Sequence, residues 1–294
     1  MKQTLIGVND IIKAREQLFY NKNVVDVLKN QKSADIGGIY IDFTEIIRPE
    51  SNKLYIILNG AQTREYPQFS RITWASVMDG TVINIADPTY KYYPNIKVGY
   101  YLLYRDKIEG FIRSKMYQYG IDNANLFFYG SSAGGSTGIY LSSRFPGSTC
   151  FAINPQLLLE NRLLSSGYSE QIGMDDSDFK RFYSESFDNI SIMEKNSKNF
   201  FILIENIASD EDKYFTNILQ KRFDLDLNYP LTIKDNIMIW CYCISGDNPH
   251  SIQENVQLYP AIYKLYSILK HSEDVTQYLP LYLSISELWN KSQR

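Results

Sequence analysis

The chain has 294 residues, of which 44% are hydrophobic and 21% charged, and its formal net charge is −3 at pH 7. This length suits one large α/β domain or two small ones, and the composition is that of an ordinary globular protein. A small net charge without long runs of one sign argues against nucleic acid or an anionic membrane surface as a partner. No stretch reaches the roughly 18 apolar residues of a membrane-spanning helix. Because the N-terminus also lacks an apolar signal segment, we expect a cytoplasmic protein.

The first part of the chain alternates between helix and strand patterns. Residues 1–35 are polar with helical spacing, and they predict an N-terminal helical cover. Short β-branched and aromatic runs predict strands at residues 37–43, 54–58 and 81–86. A stripe of apolar side chains predicts a helix over residues 100–119, which Gly120 ends.

The second part continues the alternation. Strands are predicted at residues 125–129, 148–153, 199–204 and 237–244. Helices are predicted at residues 137–145 and 214–223, from residue 251 onward, and at 275–289. Residues 156–198 are polar and irregular, and they predict a cap insertion. Alternating strands and helices predict a mostly parallel central sheet with helices on both faces. Since no repeat or linker interrupts the pattern, we expect residues 1–294 to form a single domain.

The motif Gly-x-Ser-x-Gly, centred on Ser132, lies between a predicted strand and a predicted helix. In α/β-hydrolases this is the nucleophile elbow, a sharp turn that exposes the serine hydroxyl above the sheet. The flanking residues must be small because the strand and the helix nearly touch, and Gly130 and Gly134 meet that need. The motif therefore predicts an α/β-hydrolase fold with Ser132 as nucleophile. The plainer interpretation is a glycine-rich turn between a strand and a helix.

Serine catalysis also needs an imidazole base and a carboxylate that orients it. In α/β-hydrolases these follow the serine in the order acid, then histidine, each after a strand. The chain has two histidines. His271 lies inside a predicted helix, whereas His250 lies in a loop after the last strong strand. We therefore predict His250 as the base, and so few histidines exclude a multi-histidine metal centre.

The acid is less clearly specified. Asp210 and Asp212 share one loop after a predicted strand, and Glu205 lies at that strand's end. We favour Asp210, with Asp212 as the alternative. Asp247 precedes His250 by three residues and is an alternative orienting neighbour. The plainer interpretation is that the acidic loop only caps the following helix, whose positive end favours carboxylates.

Two backbone N–H groups are predicted to form the oxyanion hole. One belongs to Ala133, the residue after the nucleophile, and the other to Ala61 in the small-residue loop Asn59-Gly60-Ala61. The three cysteines, Cys150, Cys241 and Cys243, lie in apolar runs, so we expect buried free thiols and no metal site.

Several short motifs recur together in one known family. They are Asn59-Gly60-Ala61, Pro67-x-Phe69-x-Arg71-x-x-Trp74, Asp87-Pro88-Thr89, Tyr129-Gly130-Ser131-Ser132-Ala133-Gly134-Gly135 and Ala152-Ile153-Asn154-Pro155-Gln156. Over roughly residues 37–255, the chain resembles bacterial α/β-hydrolase-like proteins of capsule and surface-glycan biosynthesis. That family includes glycan O-acetyltransferases of capsule loci and of the accessory Sec system.

The resemblance implies a Ser-Asp-His triad of Ser132, Asp210 and His250, and acyl transfer to a sugar hydroxyl. It implies acetyl-CoA as the acyl-donor co-substrate, a capsular or surface polysaccharide as acceptor, and no tightly bound cofactor. In that family a histidine often follows the acid shortly afterwards, but this chain has Lys213 and Tyr214 there. The choice between Asp210 and Asp212 therefore stays open. It also stays open whether the protein associates with membrane-associated capsule machinery and whether it forms a homo-oligomer.

Two other functions fit the same residues. A carboxylesterase or deacetylase uses the same triad with water as the acceptor. A non-catalytic scaffold protein of a glycan-assembly complex is the third hypothesis, because a fold alone never proves an activity.

Overall fold

The computed structural model of the chain describes residues 31–61, 65–71, 74–75, 78–225 and 231–251. The strands there are β1 (Lys32–Asp35), β2 (Tyr40–Ile46), β3 (Leu54–Leu58), β4 (Thr81–Ile85), β5 (Leu126–Ser131), β6 (Thr149–Ile153), β7 (Phe200–Asn206), β8 (Leu231–Lys234) and β9 (Ile237–Tyr242). They form one nine-stranded sheet with the order β1-β2-β4-β3-β5-β6-β7-β9-β8.

The centre of this sheet is parallel. Strands β4, β3, β5, β6, β7 and β9 run in one direction. Antiparallel strands lie at both edges, with β1 and β2 on one side and β8 on the other. Every residue of β3, β4, β6 and β7 is buried, which explains why these segments are rich in apolar residues. The predicted mostly parallel central sheet is confirmed.

From β4 onward, helices lie between successive parallel strands. In the described ranges they are α1 (Thr89–Tyr92), α2 (Arg105–Tyr119), α3 (Ala133–Ser143), α4 (Glu160–Ser165), α5 (Tyr168–Gln171), α6 (Asp176–Tyr183), α7 (Asn189–Lys195) and α8 (Asp210–Phe223). Helix α2 buries Ile108, Phe111, Ile112 and Met116, the stripe that predicted it. Gly120 ends this helix with a φ of 66°.

The described residues include a larger and a smaller hydrophobic cluster. The larger one joins the sheet to α2, α3 and α8. The smaller one lies beneath the short helices α4 to α6 and includes Ala133 at the start of α3, together with Tyr100, Leu163 and Phe179. The segment 156–198 is thus packed beside the turn that carries Ser132. Its function as a cap, and the single domain over 1–294, remain predictions.

Some predicted boundaries are wrong where polar residues enter an element. Strand β1 lies inside the predicted helical cover of residues 1–35, and residues 1–30 fall outside the described part of the chain. Strand β8 was not predicted, because it is short and pairs only at the sheet edge. Helices α3 and α8 begin earlier than predicted, at Ala133 and Asp210. The first turns of both helices consist mainly of small or acidic residues, so the apolar spacing that predicts a helix begins only after them.

Three further sequence predictions have outcomes here. Cys150 is buried, but Cys241 is only half-buried, and Cys243 lies beyond β9 and is exposed, so the prediction of three buried thiols is wrong. The helices predicted in residues 252–294, and His271, lie outside the described residues. Across the described ranges, no helix is long and apolar enough to cross a membrane.

Candidate active site

Ser132 lies on a sharp turn between a strand and a helix. Strand β5 ends at Ser131 and helix α3 begins at Ala133. Ser132 has φ 51° and ψ −122°, a conformation that costs a non-glycine residue about 1–3 kcal/mol. The surrounding backbone maintains it, because the Ser132 N–H donates to the Ile153 carbonyl at 2.8 Å and the Ser132 carbonyl accepts from the Ser136 N–H at 3.0 Å. The predicted elbow geometry is therefore present.

The two motif glycines are required by close backbone packing. A Cβ at Gly130 would lie 2.5 Å from the carbonyl carbon of Gly134. A Cβ at Gly134 would lie 2.6 Å from the Asn59 carbonyl oxygen and against the Leu58 carbonyl. Real Cβ atoms do not approach backbone this closely. Strand β5, helix α3 and the loop after β3 are thus in direct contact around Ser132.

His250 connects the serine to a buried carboxylate. It lies in a short 3₁₀ turn, Pro249–Ser251, beyond strand β9. Its Nε2 is 3.0 Å from Ser132 Oγ, and its Nδ1 is 2.7 Å from Asp212 Oδ1. The ionised carboxylate can only accept, so Nδ1–H donates to it and Nε2 is left to accept the serine proton. This is the geometry that a nucleophile, a base and an orienting acid need.

The acid beside His250 is Asp212, not the favoured Asp210. Helix α8 begins at Asp210, and two residues along a helix correspond to a rotation of about 200°. Asp210 is therefore exposed, whereas Asp212 is fully buried with Phe215 and Leu219 on the face toward the sheet. The spacing of Asp212, Phe215 and Leu219, at i, i+3 and i+7, is the sequence signal that distinguishes the two aspartates.

The other two acids considered from the sequence do not contact the histidine. Asp247 is exposed. Glu205 in strand β7 is fully buried, and neither of its carboxyl oxygens has a hydrogen-bond partner among the described residues. Burial, and then the nearby charge of Asp212, raise the pKa of Glu205 well above its ordinary value. Its neutral form is thereby favoured, which suits neither an anchor for His250 nor a base.

The loop that carries His250 is held by two buried asparagines that sequence reasoning missed as functional residues. Asn154 Nδ2 donates to the His250 carbonyl at 3.0 Å. Asn206 Nδ2 donates to the carbonyls of Ile244 and Pro249, both at 2.9 Å. The two asparagines are themselves joined, since the Asn206 N–H donates to Asn154 Oδ1 at 2.8 Å. The signal was available, because each is a polar residue at the carboxyl end of a buried strand.

A third polar residue, Gln156, touches both reacting side chains. Its side-chain nitrogen Nε2 lies 2.8 Å from Ser132 Oγ and 2.9 Å from His250 Nε2. Its oxygen Oε1 lies 3.1 Å from Ser132 Oγ. Gln156 is buried. Before the structure, only its place in a shared motif pointed to it.

The loop after β3 lies beside the nucleophile. A Cβ at Gly60 would be 3.8 Å from the Cβ of Ser132, so the loop backbone runs next to the serine. Ala61 follows directly. On the other side, Ala133 is the first residue of helix α3, and the first N–H groups of a helix have no partner within it. The use of the N–H groups of Ala61 and Ala133 as an oxyanion hole remains a prediction.

Asn59 fixes the base of that loop. Its side-chain nitrogen donates to the carbonyls of Gln68 at 2.7 Å and Ile85 at 2.9 Å. Its side-chain oxygen accepts from the Ser70 N–H at 2.6 Å. Its own backbone N–H donates to the Tyr101 hydroxyl at 2.6 Å. These bonds fix the start of the loop that contains Gly60, which runs beside the end of strand β5.

Comparisons with known proteins bear on the fold. No protein-family model matches the sequence. No curated protein matches it either. The structure is similar to the capsule O-acetyltransferase of Neisseria meningitidis serogroup A, with TM-score 0.52 and 16% identity, over 83% of this chain and 98% of that chain. A mutant of that enzyme has been solved in complex with CoA.

Two further structures have the same fold. One is the Glycosylation Associate Protein (Gap123) complex from Streptococcus agalactiae, with TM-score 0.54 and 14% identity, over 83% of this chain and 47% of that chain. The other is Est1E from Butyrivibrio proteoclasticus, with TM-score 0.54 and 12% identity, over 82% of this chain and 98% of that chain. At such identities the likeness shows the fold alone. The chain has an α/β-hydrolase fold, and its structural neighbours include the kinds of glycan protein that the sequence resemblance indicated.

Proposed function

We propose that this protein is a serine-dependent acyltransferase that O-acetylates a hydroxyl of a capsular or surface polysaccharide through an acyl-Ser132 intermediate. One observation carries the proposal: an unbroken chain of contacts from Ser132 Oγ through His250 to Asp212, at 3.0 and 2.7 Å. The correspondence of its fold with that of a capsule O-acetyltransferase supports the choice of reaction.

The first half-reaction acylates the serine. His250 Nε2 accepts the Ser132 proton while Oγ attacks the carbonyl carbon of the acyl donor. The oxyanion that forms would be bound by the N–H groups of Ala61 and Ala133, each worth about 2.7–4 kcal/mol in such sites. The leaving group takes the proton from His250. Acetyl-CoA is the donor we propose, since a structural neighbour has been solved in complex with CoA.

The second half-reaction transfers the acyl group to the glycan. His250 Nε2 accepts the proton of a sugar hydroxyl, whose oxygen attacks the acyl carbon. The tetrahedral intermediate then expels Ser132 Oγ, which recovers its proton from the histidine. Asp212 orients the imidazole and stabilises its charged form throughout.

An esterase or deacetylase is the second candidate, with water in place of the sugar hydroxyl. The similarity to Est1E supports it, and the same three side chains serve both reactions. A scaffold protein is the third candidate, because one neighbour is part of a glycosylation-associated complex. The assembled contacts of Ser132, His250 and Asp212 favour catalysis over that alternative.

Two measurements test the proposal. A fluorophosphonate probe should label the wild-type protein and the Ser131→Ala control, which changes the neighbouring serine, but not Ser132→Ala. Incubation with acetyl-CoA and a panel of capsule oligosaccharides should give O-acetylated sugar only when Ser132 is present. Acetate as the sole product would identify an esterase, and the absence of labelling in folded protein would identify a scaffold.

A further inference from the structure

Gln156 occupies a position that a simple hydrolase triad does not require. Its carboxamide lies between the nucleophile and the base, with Nε2 2.8 Å from Ser132 Oγ and 2.9 Å from His250 Nε2. Its backbone is fixed as well, because its carbonyl accepts hydrogen bonds from Ser136 Oγ and, at 3.1 Å, from Asn189 Nδ2. Because its side chain is buried and its backbone carbonyl is held by two hydrogen bonds, Gln156 has a fixed position in the site.

The hydrogen-bonding capacity of His250 creates a competition. With Nδ1–H donated to Asp212, the imidazole has a single acceptor site, at Nε2. Both the Ser132 hydroxyl and the Gln156 N–H are within bonding distance of that site. The Gln156 atom that bonds this site is the amide nitrogen, because the amide oxygen is itself an acceptor and cannot bond to the lone pair of His250 Nε2.

Acylation of Ser132 ends this competition in favour of the glutamine. An esterified Oγ has no proton to donate, so the Gln156 N–H is the partner that remains at His250 Nε2. The next attacking hydroxyl must come within about 2.6–3.2 Å of Nε2 to lose its proton. It therefore has to displace the Gln156 amide first.

We propose that Gln156 reserves His250 Nε2 for an acceptor that binds through the rest of its molecule, and so makes the acyl-enzyme prefer alcohols to water. This inference rests on the acyl-Ser132 intermediate proposed above. A water molecule brings no additional binding energy with which to displace the amide, whereas a glycan brings the contacts of its other hydroxyls and rings. Gln156 is thus a specificity-determining residue for transfer over hydrolysis.

The step that Gln156 controls is a simple acyl transfer. As the amide is displaced, the acceptor proton moves to His250 Nε2 and a bond forms between the acceptor oxygen and the acyl carbon. The bond from the acyl carbon to Ser132 Oγ then breaks, and Oγ takes the proton from Nε2. No oxidant, reductant or further reactant enters.

The partition of the acyl-enzyme between water and an alcohol measures this preference directly. Purified full-length protein would be acylated with p-nitrophenyl acetate in the presence of glycerol, and free acetate and glyceryl acetate would be quantified. In Gln156→Ala, we expect the ratio of hydrolysis to transfer to rise about tenfold, the factor expected from the loss of one hydrogen bond. Gln156→Met keeps the side-chain volume without the N–H, and we expect it to change the ratio in the same direction. Gln171→Ala, the same change at an exposed position at the end of helix α5, should leave the ratio at its wild-type value.

The p-nitrophenol burst separates this inference from the alternatives. If Gln156 instead stabilises the oxyanion or only supports the fold, both variants will lose burst rate and both product branches equally, with an unchanged ratio, and the inference is wrong. A wild-type burst without acetylation of any capsule oligosaccharide would contradict the proposed glycan acceptor but not the acyl-enzyme. The ratio of hydrolysis to transfer would then still test the role of Gln156. The absence of a burst in folded wild-type protein would overturn the acyl-enzyme and this inference together.

Discussion

The nucleophile turn and the histidine loop are both needed for the candidate site, but they are held in different ways. The turn at residues 130–134 is fixed by backbone packing against its sequence neighbours and the end of strand β3. The loop at residues 244–251 is fixed by side-chain amides that lie far away in the sequence, 96 residues for Asn154 to His250 and 43 for Asn206 to Pro249. The residues that form the nucleophile turn are therefore contiguous in the sequence, although they also pack against the end of β3, whereas the position of the base depends on side-chain amides from two other segments of the chain.

The largest expected effect concerns the acid, which belongs to the long-range half of the site. Asp212→Asn should lower the rate of Ser132 acylation about 10⁴-fold, because an amide facing Nδ1 favours the wrong tautomer of His250. Asp210→Asn is the matched control two residues away, and it should stay within about twofold of wild type because Asp210 is exposed. The p-nitrophenol burst rate measures both. Equal losses in the two variants would contradict the assignment of Asp212.

The second effect concerns the turn that carries the nucleophile. Gly134→Ala places a methyl group against the Leu58 and Asn59 carbonyls, which cannot rotate away, and should destabilise the fold by about 3 kcal/mol. Gly135→Ala is the matched control, because its nearest new contacts, the Gly130 carbonyl oxygen and the Pro155 Cβ, are both at 3.2 Å. Urea unfolding of both variants checks this difference. A Gly134→Ala protein as stable as Gly135→Ala would show that the start of helix α3 is not in contact with the end of β3.

A smaller effect should come from the asparagine that holds the histidine loop. Asn206→Ala leaves the Ile244 and Pro249 carbonyls without their partner, and should lower the acylation rate about 10–100-fold. Asn206→Asp keeps the acceptor that the Ile244 N–H uses at 3.0 Å but loses both donors. The second carboxyl oxygen would instead face the Ile244 and Pro249 carbonyls, so we expect Asn206→Asp to lose at least as much rate in the same burst measurement. Full activity in both variants would mean that the loop positions His250 without Asn206.

The smallest effect is a pH dependence of stability, due to Glu205. Burial raises the pKa of Glu205 in the folded protein, so the folded state retains a proton that the unfolded chain releases near about 4.3. The free energy of unfolding should therefore fall as pH rises from that value through the raised pKa. Glu205→Gln has no proton to lose and should lack this part of the fall.

Urea midpoints at pH 5 and pH 8 for the two proteins measure that difference. Asp87, whose pKa burial raises to about 6, contributes a fall of the same sign to both proteins, so only the difference between them reports on Glu205. Parallel pH curves would show that Glu205 is not a buried neutral acid.

The contrast between the two regions also explains how far the sequence could be interpreted. The Gly-x-Ser-x-Gly motif places Ser132 because strand, turn and helix are contiguous, and His250 followed from the scarcity of histidines. The sequence pattern favours Asp210 because it predicts that helix α8 begins at residue 214, which leaves Asp210 and Asp212 in a loop with no helix face to distinguish them.

Gln156 and Asn206 show what remained hidden. Gln156 follows strand β6 and Asn206 ends strand β7. In the sequence, a polar residue at such a position is indistinguishable from the start of an ordinary turn. Their partners at His250, Ile244 and Pro249 come together only once β6, β7 and β9 are adjacent in the sheet. The edge strand β1 is likewise decided by its pairing with β2, since its own residues are polar.

The positive φ of Ser132 exposes the proposed nucleophile but lowers the stability of the folded protein. A serine at φ 51° adopts a conformation that glycine reaches freely, so glycine is the more stable residue at this position, by an amount on the order of 1 kcal/mol. That more stable protein would have no nucleophile. Selection of variants by melting temperature alone would therefore favour the loss of Ser132, and any effort to stabilise this protein has to score activity alongside thermal resistance.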